Sequence, residues 1–552
     1  GAQATGNGLP ATVNNLTISN SAGVTLSAST AVSNTLTLNS GSFAVGSNTL
    51  TLNGAYISGT VNNLSTTSSS NLVLNTSAGG TLPNFTAINN LTCNSSGNTF
   101  ALNSSPTVSG LLAFTAGTLS IGANSLTLAG TVSRSSGLLR GGTTSNLTLT
   151  NASALGSLFF DHSTPGTTNA LNNFTKNSGA GSVTIGDNTS VASTDGQLYI
   201  NGVLTVSAGS LDVSGTVTGN HIVLVSDGTN QARVANLTGG NLTQGANTKI
   251  VVERFINGTN PSNRRAWRFI TAPLTASSSN ASIQNQWQNT GNVLGAGFGT
   301  NVNGPSGLTG RDETTPGYSM RGWNYTTKTY ANVTSTSEVL FGNTGSADNK
   351  PYMMFIRGDK TALVGGSITN ARLRAVGRLQ TGNQAFSYGT HAVNDYVAIA
   401  NPYASPINYE SFRGSLTDIN SSVFYVWDPR VSSFGGWVTV TRNGVDDYST
   451  SVNTPVSFSN ANVQFIQSGT AFFAQATGTA PAITFTESHK GNTNIAQVTG
   501  AGNGLMDKLG VDLLLINPDN SISVRDGLLM KYKNNFTTAI NEATGEDVLK
   551  MN

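Results

Sequence analysis

The chain has 552 residues with 27 Lys or Arg and 25 Asp or Glu, so only 9% of its residues are charged, against about 25% in an average soluble domain. No charged side chain precedes Arg134, which excludes acid–base catalysis and charge-based phosphate binding by residues 1–133. The net charge of +2 predicts no nucleic-acid partner, and apolar runs of two to five residues predict no membrane insertion.

Charge and aromatic residues are distributed unevenly along the chain. Nine charged residues lie before position 249 and 43 lie at or after it, and all five Trp residues lie at or after Trp267. This step predicts a change of architecture near residue 249. We expect Asn/Ser/Thr/Gly-rich repeats in 1–248, an aromatic-cored domain in 249–499 and a partial β domain in 500–552.

The first 248 residues contain internal repeats. Residues 32–54 (VSNTLTLNSGSFAVGSNTLTLNG) and 108–130 (VSGLLAFTAGTLSIGANSLTLAG) are two copies offset by 76 positions, and 204–215 is a shorter third copy. A second motif, with the pattern of VNNLTIS, begins at four positions: Val13, Val61, Ile88 and Leu171. Such self-similarity is typical of repeat architectures.

Within each copy, apolar residues alternate with Thr, Ser, Ala or Asn. Leu36 and Leu38, and then Leu50 and Leu52, follow this period of two, which is typical of strands. The aromatic residues that sandwich and propeller cores usually use are scarce here. Stacked parallel strands can bury small aliphatic residues and join Asn, Ser and Thr in uncharged ladders. We therefore predict a parallel β-helix (β-solenoid) with roughly 20–25 residues per coil.

Residues 249–499 combine charges and aromatic residues with strand patterns, which predicts an antiparallel β-sandwich. The clearest strand patterns lie at 251–274, 396–409, 423–430, 436–442, 463–476 and 483–487. Beyond residue 500, the sequence predicts two strands, at 511–516 and 527–532, and a helix near 537–550. This last part is interpreted as an incomplete terminal β domain.

Several segments resemble a known family. The strand repeats, RRAWRFITAPL (264–274), NPYASPIN (401–408), FYVWDPR (424–430) and the ending at 526–552 are similar to the repeat-rich surface proteins that the type IX secretion system of Bacteroidota exports. The resemblance implies export with a cleaved signal peptide and a role at the cell surface as an adhesin, layer or fibre. It implies no catalytic residues, and the family's C-terminal sorting domain is absent from this sequence.

No catalytic or cofactor-binding constellation is evident. The four His residues lack the spacing of a zinc site, and Cys93 lies at an alternating position that predicts a buried thiol. The segment GAGFG (295–299) lacks the Lys-Ser/Thr of a phosphate loop and predicts a surface loop. Calcium is the one metal considered, although solvated turn acids are the favoured interpretation. Its oxygen ligands could come from two groups: Asp446 with Asp447, and Asp519 with Asp526.

The densest charge cluster lies at 254–268. It contains one Trp and four arginines: Trp267, Arg254, Arg264, Arg265 and Arg268. Such a cluster could bind an acidic glycan or nucleic acid, with Arg264, Arg265 and Trp267 as the candidate residues. The favoured interpretation instead pairs these arginines with Glu253 and other acids, inside the sandwich or at its junction with the solenoid.

These features predict a non-enzymatic structural protein or adhesin. An incomplete terminal domain exposes a strand edge that another chain can fill, so copies of this chain are expected to assemble head-to-tail by donor-strand exchange. The candidate donor is VNNLTIS, with Val13, Leu16 and Ile18 as its apolar residues. Surface glycans are considered as further partners.

The alternative is a carbohydrate-binding or polysaccharide-degrading β-helix protein. Glycosidases need carboxylates gathered on one face. The carboxylates that could align on neighbouring coils are Asp187, Asp195 and Asp212.

Overall fold

The computed structural model describes residues 1–54, 57–60, 63–76, 78–151, 155–186, 198–215, 220–258, 265–276, 281–341, 349–431, 434–451, 463–491, 507–516 and 522–532. For the last two ranges it describes the backbone. The structure is almost entirely β, which confirms the all-β class. None of the helices in the described ranges is both long and apolar enough to cross a membrane.

The first half of the chain consists of short strands joined by turns. Its first thirteen strands are β1 (Gln3–Ala4), β2 (Thr12–Ser19), β3 (Val24–Thr25), β4 (Thr30–Ser40), β5 (Phe43–Ala44), β6 (Thr49–Leu52), β7 (Ile57–Gly59), β8 (Leu64–Ser65), β9 (Asn71–Leu74), β10 (Gly80–Thr81), β11 (Ala87–Ile88), β12 (Asn90–Ala101) and β13 (Thr107–Val108). The next thirteen are β14 (Leu111–Ser120), β15 (Ser125–Leu128), β16 (Thr131–Arg134), β17 (Leu138–Arg140), β18 (Asn146–Leu149), β19 (Gly156–Phe159), β20 (Ala170–Leu171), β21 (Asn173–Gly186), β22 (Leu198–Ile200), β23 (Val203–Asp212), β24 (Ile222–Leu224), β25 (Arg233–Val234) and β26 (Gly240–Thr243).

In the described ranges of the second half there are further strands and one short helix. The strands up to the helix are β27 (Ile250–Ile256), β28 (Ala266–Ile270), β29 (Leu274–Thr275), β30 (Met320–Asn324), β31 (Thr329–Asn332), β32 (Tyr352–Ile356), β33 (Ala371–Leu379), β34 (Gln384–Ser387), β35 (Tyr396–Ala400) and β36 (Ile407–Asn408). After the helix α1 (Tyr409–Phe412) come β37 (Leu416–Thr417), β38 (Ile419–Asp428), β39 (Gly436–Gly444), β40 (Asp447–Thr450), β41 (Phe465–Ile466), β42 (Ala471–Ala476), β43 (Ala482–Phe485), β44 (Asp507–Ile516) and β45 (Ile522–Tyr532). Single 3-10 turns lie at Gly6–Gly8, Thr290–Asn292, Arg413–Ser415 and Glu487–His489.

The strands β1–β26 pair in parallel. The largest sheet has ten strands in the order β16-β14-β12-β9-β6-β4-β2, with β7, β10 and β17 at its sides. A nine-stranded sheet has the order β11-β13-β15-β18-β21-β23-β25, with β19 and β26 at its sides, and a four-stranded sheet has the order β1-β3-β5-β8. Partner residues lie between 19 positions apart (Leu72 with Leu91) and 31 positions apart (Leu211 with Leu242). The parallel pairing agrees with the prediction for 1–248.

The strand pairing places apolar residues of neighbouring strands side by side along each sheet. Leu126, Leu147, Phe174 and Leu204 are successive partners in β15, β18, β21 and β23, and all four are fully buried. Fully burying a side chain of this size contributes roughly 1.5–3 kcal/mol. The period of two therefore generates a continuous core, because every second residue of each strand points toward it.

The two long sequence copies have the same turn geometry. Gly46 and Gly122, which are 76 positions apart, both have φ of 62°, a left-handed conformation that favours glycine. The following equivalent residues, Asn48 and Asn124, each donate Nδ2 to two backbone carbonyls. The acceptors are Leu26 and Val45 for Asn48, and Leu102 and Ile121 for Asn124. Conformation and hydrogen bonding at these turns thus follow the sequence repeat.

A six-stranded sheet joins the two halves of the chain. Its order is β20-β22-β24-β27-β33-β29, in which β27 pairs in parallel with β24 and antiparallel with β33. The backbone hydrogen bonding therefore continues across residue 249. Strand β33 covers one end of this parallel sheet.

The second half is built from antiparallel sheets, of which two face each other: β28-β32-β30-β31 and β35-β42-β38-β39-β40. Between them, Phe269 stacks on Phe473 with ring centroids 5.0 Å apart. On the opposite face of the five-stranded sheet, Tyr409 stacks on Phe424 at 4.1 Å. Aromatic rings therefore fill both sides of this sheet. Smaller sheets, β34-β43-β37 and β36-β41, pack around it.

The strands β44 and β45 form a hairpin of their own. They pair antiparallel from Asp507 with Tyr532 to Ile516 with Ile522. Within the described ranges, they form a separate two-stranded sheet. The helix predicted near 537–550 lies outside the described residues.

Candidate functional site

We first consider whether the titratable side chains of the described residues are grouped as a metal site would require. Over the described ranges, no three His, Cys, Asp or Glu side chains are grouped as metal ligands would be. His221 accepts the backbone N–H of Lys249 on Nδ1, and its Nε2 lies 3.0 Å from the carbonyl of Gly215. Burial lowers the pKa of His221 and of His489, which favours their neutral rings.

Cys93 is buried in β12, which confirms the prediction of a buried thiol. Burial raises its pKa to about 12. The thiolate, which is the nucleophilic form, is therefore disfavoured at neutral pH.

The acids proposed for catalysis do not form a constellation that the structure describes. Asp212 holds a turn, since its Oδ1 accepts the N–H and the hydroxyl of Ser214. Asp187 and Asp195 lie outside the described residues.

The acids considered for calcium are separated between two hairpins. Asp446 lies in the turn between β39 and β40 with φ of 53°, and Asp447 begins β40. Asp526 is paired with Leu513 in the terminal hairpin, and Asp519 lies outside the described residues. The two groups are separate alternatives, and the second is not described as a pair.

Strand β2 has one free edge. It is the outermost strand of the ten-stranded sheet, and it pairs with β4 from Thr12–Ala31 to Ser19–Ser40. Ile18 is buried, whereas Val13 and Leu16 are half-buried against the core. The three candidate assembly residues therefore lie on one strand whose outer backbone groups have no strand partner among the described residues.

A ladder of Asn side chains starts at this edge. Asn15 Oδ1 accepts the backbone N–H of Thr35, at 3.2 Å. The corresponding Asn90 accepts the N–H of Leu111 and also donates Nδ2 to Asn71 on its other side. Both contacts recur at Asn173, with Val203 and Asn146. Asn15 belongs to the outermost strand of its sheet, and its Nδ2 has no such acceptor in the described part of the chain.

The structure separates the predicted arginine cluster. Arg254 and Arg268 are buried, and burial lowers the pKa of each guanidinium to about 10. Trp267 is half-buried on one face of β28, and Arg265, which immediately precedes this strand, is also half-buried. Arg264 lies outside the described residues.

The prediction that Glu253 pairs with this cluster is wrong. Glu253 binds Arg374 (2.7 Å) and Arg372 (2.7 Å), which lie on β33. The reason is the strand geometry: neighbours such as Glu253 and Arg254 point to opposite faces, whereas β33 brings its alternate residues to the face of Glu253. The alternation of Arg with apolar residues in ARLRAVGRL (371–379) was the sequence signal for this arrangement.

The GAGFG segment is fastened to the same junction. Its Phe298 ring lies 3.5 Å from the guanidinium carbon of Arg374 and 5.3 Å from that of Arg372. The N–H of Gly299 donates to the carbonyl of Arg372. The segment therefore packs as a cover over the ion pairs of Glu253.

A second set of polar contacts joins the two halves of the chain at Glu487. Its Oε2 accepts the backbone N–H of Leu237, and its Oε1 accepts that of Gly382. Lys490, whose side chain is also buried, pairs with Glu487 at 2.7 Å and lies over the ring of Tyr403. Burial lowers the pKa of Lys490, although Glu487 opposes this shift. We interpret this cluster as structural.

Glu410 lies in a third polar cluster. Arg442 donates two hydrogen bonds to its carboxylate, both 2.8 Å long, and the Tyr448 hydroxyl donates a third of 2.7 Å. These hydrogen bonds, led by those of Arg442, lower the pKa of Glu410 to about 2. The arrangement holds a carboxylate in its charged form and leaves no proton for catalysis at neutral pH.

This cluster gives a pH-dependent prediction. Because the folded pKa of Glu410 lies below its ordinary value of 4.5, its stabilisation is present above pH 4.5 and is lost as the pH falls toward 2. Glu410→Gln is expected to lower the free energy of unfolding by about 1–3 kcal/mol at pH 7 and by little near pH 2. Urea unfolding of both proteins across this range measures the difference, and a pH-independent difference would contradict the assignment.

No known family model, curated protein or solved structure matches the chain. The fold and its surfaces are therefore the basis for assigning a function. The polar clusters of the described residues stabilise the fold. Two surfaces are then left as candidates for binding a partner: the free edge of β2, and the arginines next to Trp267.

Proposed function

We propose that the chain is a non-enzymatic extracellular structural protein or adhesin, exported by type IX secretion after cleavage of a signal peptide. We further propose that its parallel region is a β-solenoid, and that copies assemble head-to-tail into a surface fibre or layer. The observation that carries the assembly is the uncovered edge of β2 at one end of the ten-stranded sheet. In the six-stranded sheet, by contrast, the last parallel strand, β27, is covered by the antiparallel strand β33.

The solenoid proposal is supported by the offset of the parallel strands up to β18, which pair residues 19–22 positions apart. Strand pairs such as β4 with β6 and β14 with β16 each join residues 20 positions apart (Thr30 with Leu50, Leu111 with Thr131). Ladders of Asn side chains link successive strands, as expected for stacked coils. A β-sandwich is proposed for the second half, where the Phe269 and Phe473 rings meet between two facing sheets.

The edge of β2 is suited to accept a strand. Natural sheet edges are usually protected by charged residues, prolines or bulges that prevent pairing with another chain. No charged residue occurs before Arg134, so β2 has no charge of this kind. Its register with β4 is irregular between Val13 and Asn15 and between Ile18 and Ser19, and it is regular from Asn15 to Ile18. The Nδ2 group of Asn15 would also find a hydrogen-bond acceptor in an Asn or Ser side chain of an added strand. In this arrangement β2 stays in place and accepts a strand, rather than leaving its sheet as the donor.

The strand is best supplied by the terminal hairpin of a neighbouring copy. Among the described residues, β44 and β45 pair with each other and with no third strand. Isolated two-stranded hairpins are marginally stable in water, so a third strand would stabilise this one. When the hairpin of one copy joins β2 of the next, one copy still has a free β2 edge and the other still has a free hairpin. Further copies can therefore add at both ends, which allows a fibre to grow.

A charged residue on β2 tests the proposal. Thr17 is exposed in β2, and Thr17→Lys should prevent edge pairing while leaving the pairs with β4. The matched control is Thr115→Lys, because Thr115 is also exposed but its strand, β14, is paired on both sides. Electron microscopy should show fibres for the wild-type and Thr115→Lys proteins, and monomers for Thr17→Lys.

Deletion variants identify the partner of the edge. Removing residues 507–552 should abolish fibres if the hairpin supplies the strand. Removing 1–20 is less decisive, because β4 becomes a new free edge. Monomers of the wild-type protein at all concentrations, or unchanged fibres of Thr17→Lys, would contradict the proposal.

A further inference from the structure

Three arginines gather on one face of the sheet β28-β32-β30-β31. The cross-strand partners Trp267 and Phe355 lie side by side on this face, and Arg321 is two residues before Trp323 on the next strand. Arg265 is two residues before Trp267, and Arg357 is two residues after Phe355. Because side chains alternate between the faces of a strand, both arginines lie on the same face as these rings. We call the five residues Arg265, Trp267, Arg321, Phe355 and Arg357 the arginine–ring patch.

The rings orient the guanidinium groups of the patch. The guanidinium carbon of Arg321 lies 5.2 Å from the Trp267 ring centroid, and that of Arg357 lies 4.8 Å from the Phe355 centroid. The two rings meet edge to face at 5.4 Å. Cation–π contacts of this kind restrict the arginines, and planar guanidinium groups can bind carboxylates with two hydrogen bonds.

The patch has an excess of positive charge. In the described part of the chain, Arg265, Arg321 and Arg357 form no ion pair within 4.0 Å. Arg265 donates to the carbonyl of Gly366, and Glu313 is the one acid whose charge acts on Arg357. The arginines of β33, by contrast, are paired with Glu253.

The patch lies at the border of the region that the five-stranded sheet covers. The neighbouring part of the same face is covered by the five-stranded sheet, where Trp323 meets Phe473 at 4.6 Å. Beyond that contact, Arg321 is exposed, and Phe434 is exposed by 58% beside Phe355, with ring centroids 5.8 Å apart. A ligand can therefore reach Arg321 and the exposed ring of Phe434, and Arg265 and Arg357 are half-buried beside them.

We propose that the arginine–ring patch binds an acidic polysaccharide. Carboxylates of its sugars would accept hydrogen bonds from Arg265, Arg321 and Arg357, and the apolar face of a sugar ring would pack on Phe434. A nucleic acid is less favoured, because three arginines and a net charge of +2 provide little counter-charge for a phosphate backbone. The inference rests on the adhesin part of the proposed function and supplies its ligand class.

Binding of the full chain to polygalacturonate, a polymer of uronic acids, tests this site. Dextran is the neutral control, and single-stranded DNA tests the competing class. The wild-type protein should bind polygalacturonate, less tightly as salt is added, and should not bind dextran. Arg321→Gln should weaken binding about tenfold, and Arg321→Lys should also weaken it because the ammonium cannot bind a carboxylate through two parallel N–H groups.

The matched control is Arg413→Gln, which removes the same charge from an arginine near α1, outside the patch. It should bind like the wild type. Arg321 is exposed, so its variants should keep the wild-type melting temperature and fibres. Equal binding to dextran, tighter binding to DNA, or equal losses in Arg321→Gln and Arg413→Gln would overturn the proposal. Binding by the monomeric Thr17→Lys variant separates this inference from the assembly.

Discussion

Gly130→Ala is expected to destabilise the parallel region by about 3 kcal/mol or more. A Cβ at position 130 would lie only 1.5 Å from the carbonyl oxygen of Gly110. That oxygen accepts the N–H of Thr131 in a 2.8 Å hydrogen bond, so it cannot move away without breaking a contact between strands. Urea unfolding should show a lower transition midpoint, or the variant should fail to accumulate as soluble protein.

The sequence repeat supplies a second variant. Gly54, 76 positions earlier, would place a Cβ 2.1 Å from the carbonyl of Asn34, and Gly54→Ala should be destabilising for the same reason. The control is Gly8→Ala, because nothing lies within 4 Å of a Cβ at Gly8. This change should alter stability by no more than about 0.5 kcal/mol. Equal stability of Gly130→Ala and Gly8→Ala would contradict the close approach of Gly130 to the carbonyl of Gly110.

Glu253→Gln should lower the free energy of unfolding by about 3–5 kcal/mol. The Glu253 side chain is 1% exposed, and its carboxylate binds Arg372, Arg374 and the backbone N–H of Ser226. Glutamine keeps the shape but removes the charge, and its NH2 group would face guanidinium donors. Two partly buried cations would then have lost their counter-ion at the junction of β27 and β33.

Lys360→Gln provides the comparison, since it removes one partner of the ion pair with Asp312, whose side chains are 23% and 19% exposed. An accessible pair of this kind contributes about 0–1 kcal/mol. Chemical unfolding at pH 7 measures both changes. Limited proteolysis of Glu253→Gln should also show earlier cleavage between the two halves of the chain. Equal effects of the two variants would show that burial does not strengthen the Glu253 pairs.

Local pattern was enough to predict the elements of the first half. The period of two at Leu36, Leu38, Leu50 and Leu52 predicted strands, and these residues are buried in β4 and β6. The two sequence copies offset by 76 positions predicted a repeat architecture, and Gly46 and Gly122 have the same φ of 62° in their turns. These properties depend on neighbours in sequence, or on a copy of the same segment stacked above it, so the sequence contains them directly.

The pairing of the second half could not be predicted in this way. The sequence places Glu253 next to a group of arginines, but its partners come from a strand more than 100 residues later. Arg265 and Arg321 likewise share a sheet face although 56 positions separate them. Alternation determines which residues share a face of one strand, whereas the register between distant strands determines which faces meet.

The sequence by itself determined the all-β class, the parallel strands of the first half and the absence of charge before Arg134. The tertiary structure decided which strand edge stays free, which arginines are neutralised and which remain open to a ligand. The physical reason is that hydrogen-bond saturation and charge pairing depend on the whole arrangement of strands. A strand such as β2 has the same alternation as its neighbours, and it differs from them only because it is the last in its sheet.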